Sequence, residues 1–260
     1  MQPPFLKQLG SPTRENISGA ADPFVHEINA IEMEMEQALM GFWYSEQQRL
    51  YAELEPQIPP DRKVAVQLAF WSAEARHLLA ILLPFLQRAA EKGVLAQAAA
   101  AGIDLDWTAA MTEASKWARE HCAKLVKGIA DTTKDRIRNI IANWMETEHT
   151  FPELWRQIMN DMGFSRYRAR LIAATETTKA YAEGKMIGTE PMEAAGYFEY
   201  DKKWQTANDD IVCPICLPMN QKTVRGVRTE FDISKIGPLQ GPPAHPGCRC
   251  GLSMIPRVPK

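Results

Sequence analysis

No long apolar segment occurs in this 260-residue chain: the longest run, Leu78 to Leu86, has nine residues and contains Pro84. That is about half of the ~20 residues a membrane-spanning helix requires, so no transmembrane helix is expected. The N-terminus, M-Q-P-P-F-L-K-Q-L-G-S-P, lacks a basic stretch followed by an apolar one. A standard signal peptide is therefore not expected, and the cytoplasm is the expected place of synthesis. There is no G-x-G-x-x-G, no G-x-x-x-x-G-K-[ST] and no H-E-x-x-H, which removes the usual nucleotide and zinc-protease readings. No period of tens of residues repeats, which argues against a solenoid. An excess of one charge is missing too. Thirty Lys+Arg stand against 32 Asp+Glu, so the chain cannot coat nucleic acid through bulk positive charge. What remains is ordinary globular composition, 45% hydrophobic and 24% charged, in a length that fits one large or two modest domains.

Charge is uneven along the chain. Residues 1–60 hold three basic and nine acidic side chains, whereas residues 61–190 (18 against 16) and 191–260 (nine against seven) are each slightly basic. The acidic front reads as a solvated helix face or as a contact for a basic partner. Residues 1–21, with three prolines and no helical periodicity, read as a flexible arm. Asp22-Pro23 supplies a cap and a first-turn proline, and Ile28, Ile31, Met35, Ala38 and Phe42 then trace one apolar stripe at helical spacing. Met33, Met35 and Met40 read as core filler. Pro56, Pro59 and Pro60 end this helix. Asp61 caps a second, with Val64, Leu68, Trp71, Ala75, Leu78 and Leu82 on its apolar side.

Pro84 is expected to kink or break the second helix, and Gly93 and Gly102 to bracket a short Ala-rich piece. Helical spacing continues from Trp107 to Lys127, Ile129 to Glu148, Pro152 to Met162 and Ser165 to Ile187. After Pro191 the pattern changes. The aromatic stretch Gly196 to Trp204 reads as a strand. The expected fold is mainly α, a helical N-terminal region over residues 22–160 followed by a small α+β, zinc-stabilised lobe over residues 161–260.

Zinc enters through crowding. Four of the five cysteines and one of the five histidines fall in C-P-I-C at Cys213 and Cys216 and H-P-G-C-R-C at His245, Cys248 and Cys250. Thiolates two residues apart in a tight turn can face one ion, and a tetrahedral structural Zn²⁺ takes four such ligands. Five candidates exceed four. Cys248 and Cys250, two apart, share a face if the segment is extended, which would displace His245 to the outer shell. Unmetallated thiols and a disulfide are the alternatives, the latter disfavoured in a cytosolic setting. A closed Cys/His site would stabilise a lobe with little apolar core of its own.

Three segments in fixed order carry a resemblance: R-A-R-L-I-A-A-T-E-T at Arg168 to Thr177, K-W and then D-D-I-V-C-P-I-C between Lys203 and Cys216, and P-P-A-H-P-G-C-R-C at Pro242 to Cys250. Together they resemble the phage Mu F-like minor head proteins, also called head-morphogenesis proteins, over about residues 130–253. Ala174 stands where such sequences often carry arginine. The resemblance implies a minor capsid component of a tailed bacteriophage, a virion protein at the portal vertex that is in the host cytoplasm during assembly. It implies a role in head assembly, DNA packaging or delivery, with the portal protein and the major capsid or scaffold protein as partners, contact with DNA, and no membrane. It implies no catalytic reaction. Portal or capsid docking falls to the helical region.

Several residues remain. Glu176 shares a helix with Arg168 and Arg170 and reads as a structural ion pair; Trp204 reads as core. Arg166, Arg168 and Arg170 could meet phosphates, although alternate helical positions do not share a face. Asp209 and Asp210 would brace the knuckle. His26, His77, His121 and His149 lie apart without a nucleophile arrangement, and Cys122 reads as a small buried hydrophobe. The rival from another class is a metal-dependent nuclease in which His245, Asp209, Asp210 and Glu176 surround an open metal position. A toxin-delivery module is a third reading, for which no further domain fits after Lys260.

Overall fold

The computed structural model describes residues 23–57, 65–102, 106–147, 150–196, 198–206, 212–234 and 236–257. The arm read over residues 1–21, the caps at Asp22 and Asp61, and Asp209 and Asp210 lie outside the described residues. Five helices precede a small β region: α1 (Val25–Leu54), α2 (Leu68–Ala101), α3 (Thr108–Met145), α4 (Phe151–Met159) and α5 (Arg166–Ala194). The mainly α architecture with a small C-terminal sheet region is the one expected from sequence.

Helix α1 buries Ile28, Ile31, Met35, Leu39 and Phe42. Leu39, not Ala38, takes the fourth place in the stripe, since the larger side chain fills the interior. Met33 stays exposed. Helix α2 runs unbroken through Pro84, against expectation. Pro84 and Ala80, whose carbonyl loses its helical donor, both lie on the exposed face, so water can satisfy that oxygen. Leu78, Leu82 and Leu86 meanwhile hold the opposite face in the core. Leu68, expected on the apolar side, begins the helix and is exposed.

Gly93 is not a break either. An ideal Cβ there would stand 2.4 Å from the Tyr181 carbonyl oxygen, and one on Gly184 would stand 1.9 Å from that of Ala90. The glycines let α2 and α5 cross backbone to backbone. Gly102 does cap α2, with φ +62°. Helix α3 is one rod where two were expected, because Ala118, Cys122, Val126, Ile129 and Thr133 carry its buried stripe past exposed Gly128. Thr150 and Glu153 form a capping box at α4, and the Ser165 side chain caps α5.

A buried charge cluster sits beneath this array. Arg49 holds Glu74 through two 2.6 Å hydrogen bonds. Glu46 lies beside them, buried, with one carboxyl oxygen lacking a partner among the described residues. Burial foremost, and then the Glu74 charge, push its carboxyl up to about 8 against the pull of Arg49 and Arg168.

Helix α5 reaches Ala194, beyond the expected end at Ile187, and β1 (Glu199–Gln205) follows. β1 is the centre of an antiparallel sheet, pairing with β2 (Thr223–Arg225) on one side and β5 (Gly251–Arg257) on the other. β3 (Phe231–Ile233) and β4 (Gly237–Leu239) form a separate hairpin. Alternation along β1 buries Tyr200, Lys202 and Trp204. Tyr200 and Trp204, with Met186, Met192, Phe231, Ile233, Leu252 and three cysteines, make a second hydrophobic cluster. The lobe is therefore less core-poor than expected. Trp204, fully buried, meets the Phe231 ring edge-on at 5.4 Å. Buried Lys202 donates to the Val227 carbonyl at 2.8 Å beneath the same ring.

Candidate metal centre

The first donor arm is a tight turn. The backbone N–H groups of Cys216 and Leu217 both donate to the Cys213 carbonyl at 3.0 Å, and the Cys216 N–H also approaches the Cys213 sulfur at 3.4 Å. These bonds set the two sulfurs on one side. The second arm follows the cis Pro242-Pro243 peptide and closes when the Cys248 N–H donates to the His245 carbonyl at 3.0 Å, with Gly247 at φ +74° between them. His245 Nδ1 lies 3.0 Å from the Pro246 carbonyl. A donor N–H there leaves Nε2 as the free ligand atom, the tautomer that metal-bound histidines commonly take.

The arms meet sulfur to imidazole. His245 Nε2 is 2.9 Å from Cys213 Sγ and 3.4 Å from Cys216 Sγ, and Cys216 Sγ is 3.7 Å from Cys248 Sγ. Two groups of three share Cys216: Cys213, Cys216 and His245, and Cys216, Cys248 and Cys250, with ligand atoms inside 4.8 Å of one another in each group. The five candidates read from sequence are thus brought together. No cysteine is in a disulfide. Bond lengths at a tetrahedral zinc give edges of about 3.8 Å between sulfurs and about 3.6 Å between sulfur and nitrogen. The 3.7 and 3.4 Å separations match those edges, and the 2.9 Å contact is a hydrogen bond that a cation would replace.

Electrostatics also fit a cation. Hydrogen bonds from the Cys216 and Cys250 sulfurs, helped by backbone N–H groups, hold the Cys248 thiol well below its usual range. Hydrogen bonding to Cys248 and Cys250, with burial, pushes Cys216 up. Ionising all three thiols so close together in a buried setting would set like charges against one another, and a divalent ion would remove that repulsion. The Cys/His groups could hold a metal ion.

Helix α5 supports the second arm. Thr175 Oγ1 accepts the Gly247 N–H at 2.8 Å, and Thr178 Oγ1 stands 3.4 Å from the Cys248 carbonyl. The neighbouring residues of this turn face elsewhere. Glu176 meets His121 of α3, Oε2 to Nε2 at 2.5 Å, and Thr177 is buried against Met35 of α1 at 3.8 Å. Glu176 is paired, as expected, but with His121 in place of an arginine. The His121 ring also stacks on Trp117 at 4.8 Å. No sequence signal joins residues 55 positions apart, and this contact was missed.

Among the described residues, Glu176 and His245 of the rival constellation are not brought together. Glu176 belongs to His121, His245 belongs to the thiols, and no described carboxylate joins either donor group. Arg168 donates to Thr133 Oγ1, the Gly163 carbonyl and the Ile129 carbonyl at 2.7–3.2 Å and covers the Trp43 ring, while Arg166 pairs with Glu36 at 2.8 Å. That overturns a shared phosphate site for Arg166 and Arg168. The acidic side chains of α1 are also partly answered within the chain, Glu34 by Arg88 at 2.6 Å and Glu27 by Lys92 at 3.8 Å. Cys122 is fully buried, its thiol pushed up to about 12 by burial and then by the Glu176 charge.

Among the described residues no helix is long and apolar enough to cross a membrane. Residues 135–253, just under half of the chain, match the family described as Phage Mu protein F like protein, which bears out the resemblance carried by the motifs. The matched region spans the end of α3, α4, α5 and all five donor residues. No curated protein and no solved structure gives a significant match.

Proposed function

We propose that this chain is a minor head-morphogenesis protein of a tailed bacteriophage. In this reading a structural zinc, drawn from Cys213, Cys216, His245, Cys248 and Cys250, fixes the shape of its C-terminal lobe. The observation that carries the reading is the coincidence of the family match over residues 135–253 with the convergence of all five donors inside that segment. Zinc fits because soft thiolates with one imidazole select it over hard cations. A bound zinc would supply cross-linking of the two arms and no reaction, since five candidate ligands for four tetrahedral positions would leave none open for water. The protein in this view is not an enzyme.

The lobe over residues 161–260 is the head-morphogenesis unit, and the helical region over residues 22–160 docks on the portal or capsid. The protein sits in the virion at the portal vertex, with the portal protein and the major capsid or scaffold protein as neighbours and DNA within reach. Mass spectrometry of purified particles tests the placement: peptides of this chain at low copy are expected, and particles without them would refute it. Pull-down of portal protein by the full chain and by a chain lacking residues 1–60 tests the docking face. Weaker recovery with the shortened chain is expected, and equal recovery would discard the assignment to the front of the molecule.

A further inference from the structure

The turn of α5 from Thr175 to Thr178 and the loop from His245 to Cys250 are far apart in the chain but meet where helix side chains touch loop backbone. Gly247 takes φ +74°, and a Cβ there would stand 3.0 Å from Leu171 Cδ1. The loop therefore lies directly on the helix. Its one N–H between the two donors, that of Gly247, is received by Thr175 Oγ1 at 2.8 Å. The same hydroxyl donates to the Leu171 carbonyl at 2.6 Å, which aims its lone pairs at the loop. The carbonyl of Cys248 itself faces Thr178 Oγ1 at 3.4 Å. The backbone on both sides of Cys248 is thus referred to α5.

We propose that Thr175 is a positioning residue for the metal site: through Gly247 its hydroxyl sets the His245–Cys248 turn so that imidazole and thiolate reach one cation together with Cys213 and Cys216. This rests on the reading of the Cys/His cluster as a cation site. Groups that orient metal ligands without touching the ion usually change metal affinity by 10–100-fold when removed. Valine keeps the shape of threonine but cannot receive the Gly247 N–H, so Thr175→Val leaves that donor unpaired and the turn free to drift.

Cobalt(II) is the probe, because its thiolate charge-transfer and ligand-field bands report the number of sulfurs and the geometry. Zinc affinity is then measured by competition against a chromophoric chelator on the full chain. Thr175→Val is expected to bind zinc about 10–100-fold more weakly and to shift the cobalt bands, with the helical circular dichroism unchanged. Thr175→Ser should restore both readouts. Thr177→Val removes a buried hydroxyl from the same turn that faces Met35 instead of the loop, and it should leave metal affinity unaltered. Equal affinity for wild type and Thr175→Val, or an equal loss in Thr177→Val, would overturn the proposal. If the wild-type chain binds neither cobalt nor zinc, the cation reading itself fails and the role of Thr175 falls with it.

Discussion

Replacing Glu46 by glutamine should make the helical region more stable in mild base and nearly remove one component of its pH dependence. The Glu46 carboxyl is 4% exposed and is raised from 4.5 to about 8, chiefly by burial. A group whose folded value lies above its unfolded value contributes stability that is complete below about 4.5 and is lost as pH rises through about 8. At about 1.36 kcal/mol per pKa unit the full swing is on the order of 5 kcal/mol. Roughly 2–3 kcal/mol of it falls between pH 6 and 9, where a zinc site keeps its metal. Glutamine fills the same space and carries no titrating proton. The assay is urea unfolding followed by helical circular dichroism on both chains at pH 6, 7, 8 and 9, taking the difference at each pH so that every other titrating group cancels. The advantage of Glu46→Gln should grow by roughly 2–3 kcal/mol across that range. A difference that does not change with pH would mean that Glu46 is already ionised beside Arg49 and Arg168, and the argument from burial would be wrong.

Cys216→Ser removes the donor common to both groups of three and should abolish zinc retention and lower the melting temperature of the C-terminal lobe, as metal binding and folding are coupled in small sites. Elemental analysis and thermal melting check it, and unchanged values would end the metal argument. Gly184→Ala places a methyl 1.9 Å from the Ala90 carbonyl oxygen and should cost on the order of 3 kcal/mol, read by urea unfolding; a loss below about 1 kcal/mol would show that the α2–α5 crossing can open. Lys202 is lowered from 10.5 to about 8 by burial first and then by the Arg228 charge. The unfolded chain therefore binds the extra proton in the window between these values, and stability should rise with pH from about 8 to 10.5. Lys202→Met should lose that rise, and a variant that keeps it would assign the effect to another group.

Much of the fold was legible because its signals are local. The three-four spacing of Ile28, Ile31, Met35 and Phe42 marked the buried face of α1, and C-P-I-C with H-P-G-C-R-C marked the donor arms, since the knuckle turn is made by neighbours in the chain. What was not legible depends on distant partners. Pro84 and Gly128 look like breaks until the packed sides of α2 and α3 are known, and both residues prove to lie on exposed sides. The Glu176–His121 pair and the neutralisation of Glu34 by Arg88 join different helices, and nothing in either local sequence names the other. The resemblance placed T-E-T and the donor loop in one family region, but not that Thr175 holds Gly247.

Helix α5 contributes Ala173, Ala180 and Tyr181 to the hydrophobic cluster among the helices and Ala182, Met186 and Met192 to the one around the sheet. A single rod threaded through both interiors acts as a shared axle. Displacing it in the bundle would also shift the side chains it gives to the lobe, since Ala182 and Met186 lie within two turns of Ala180 and Tyr181 on the same helix.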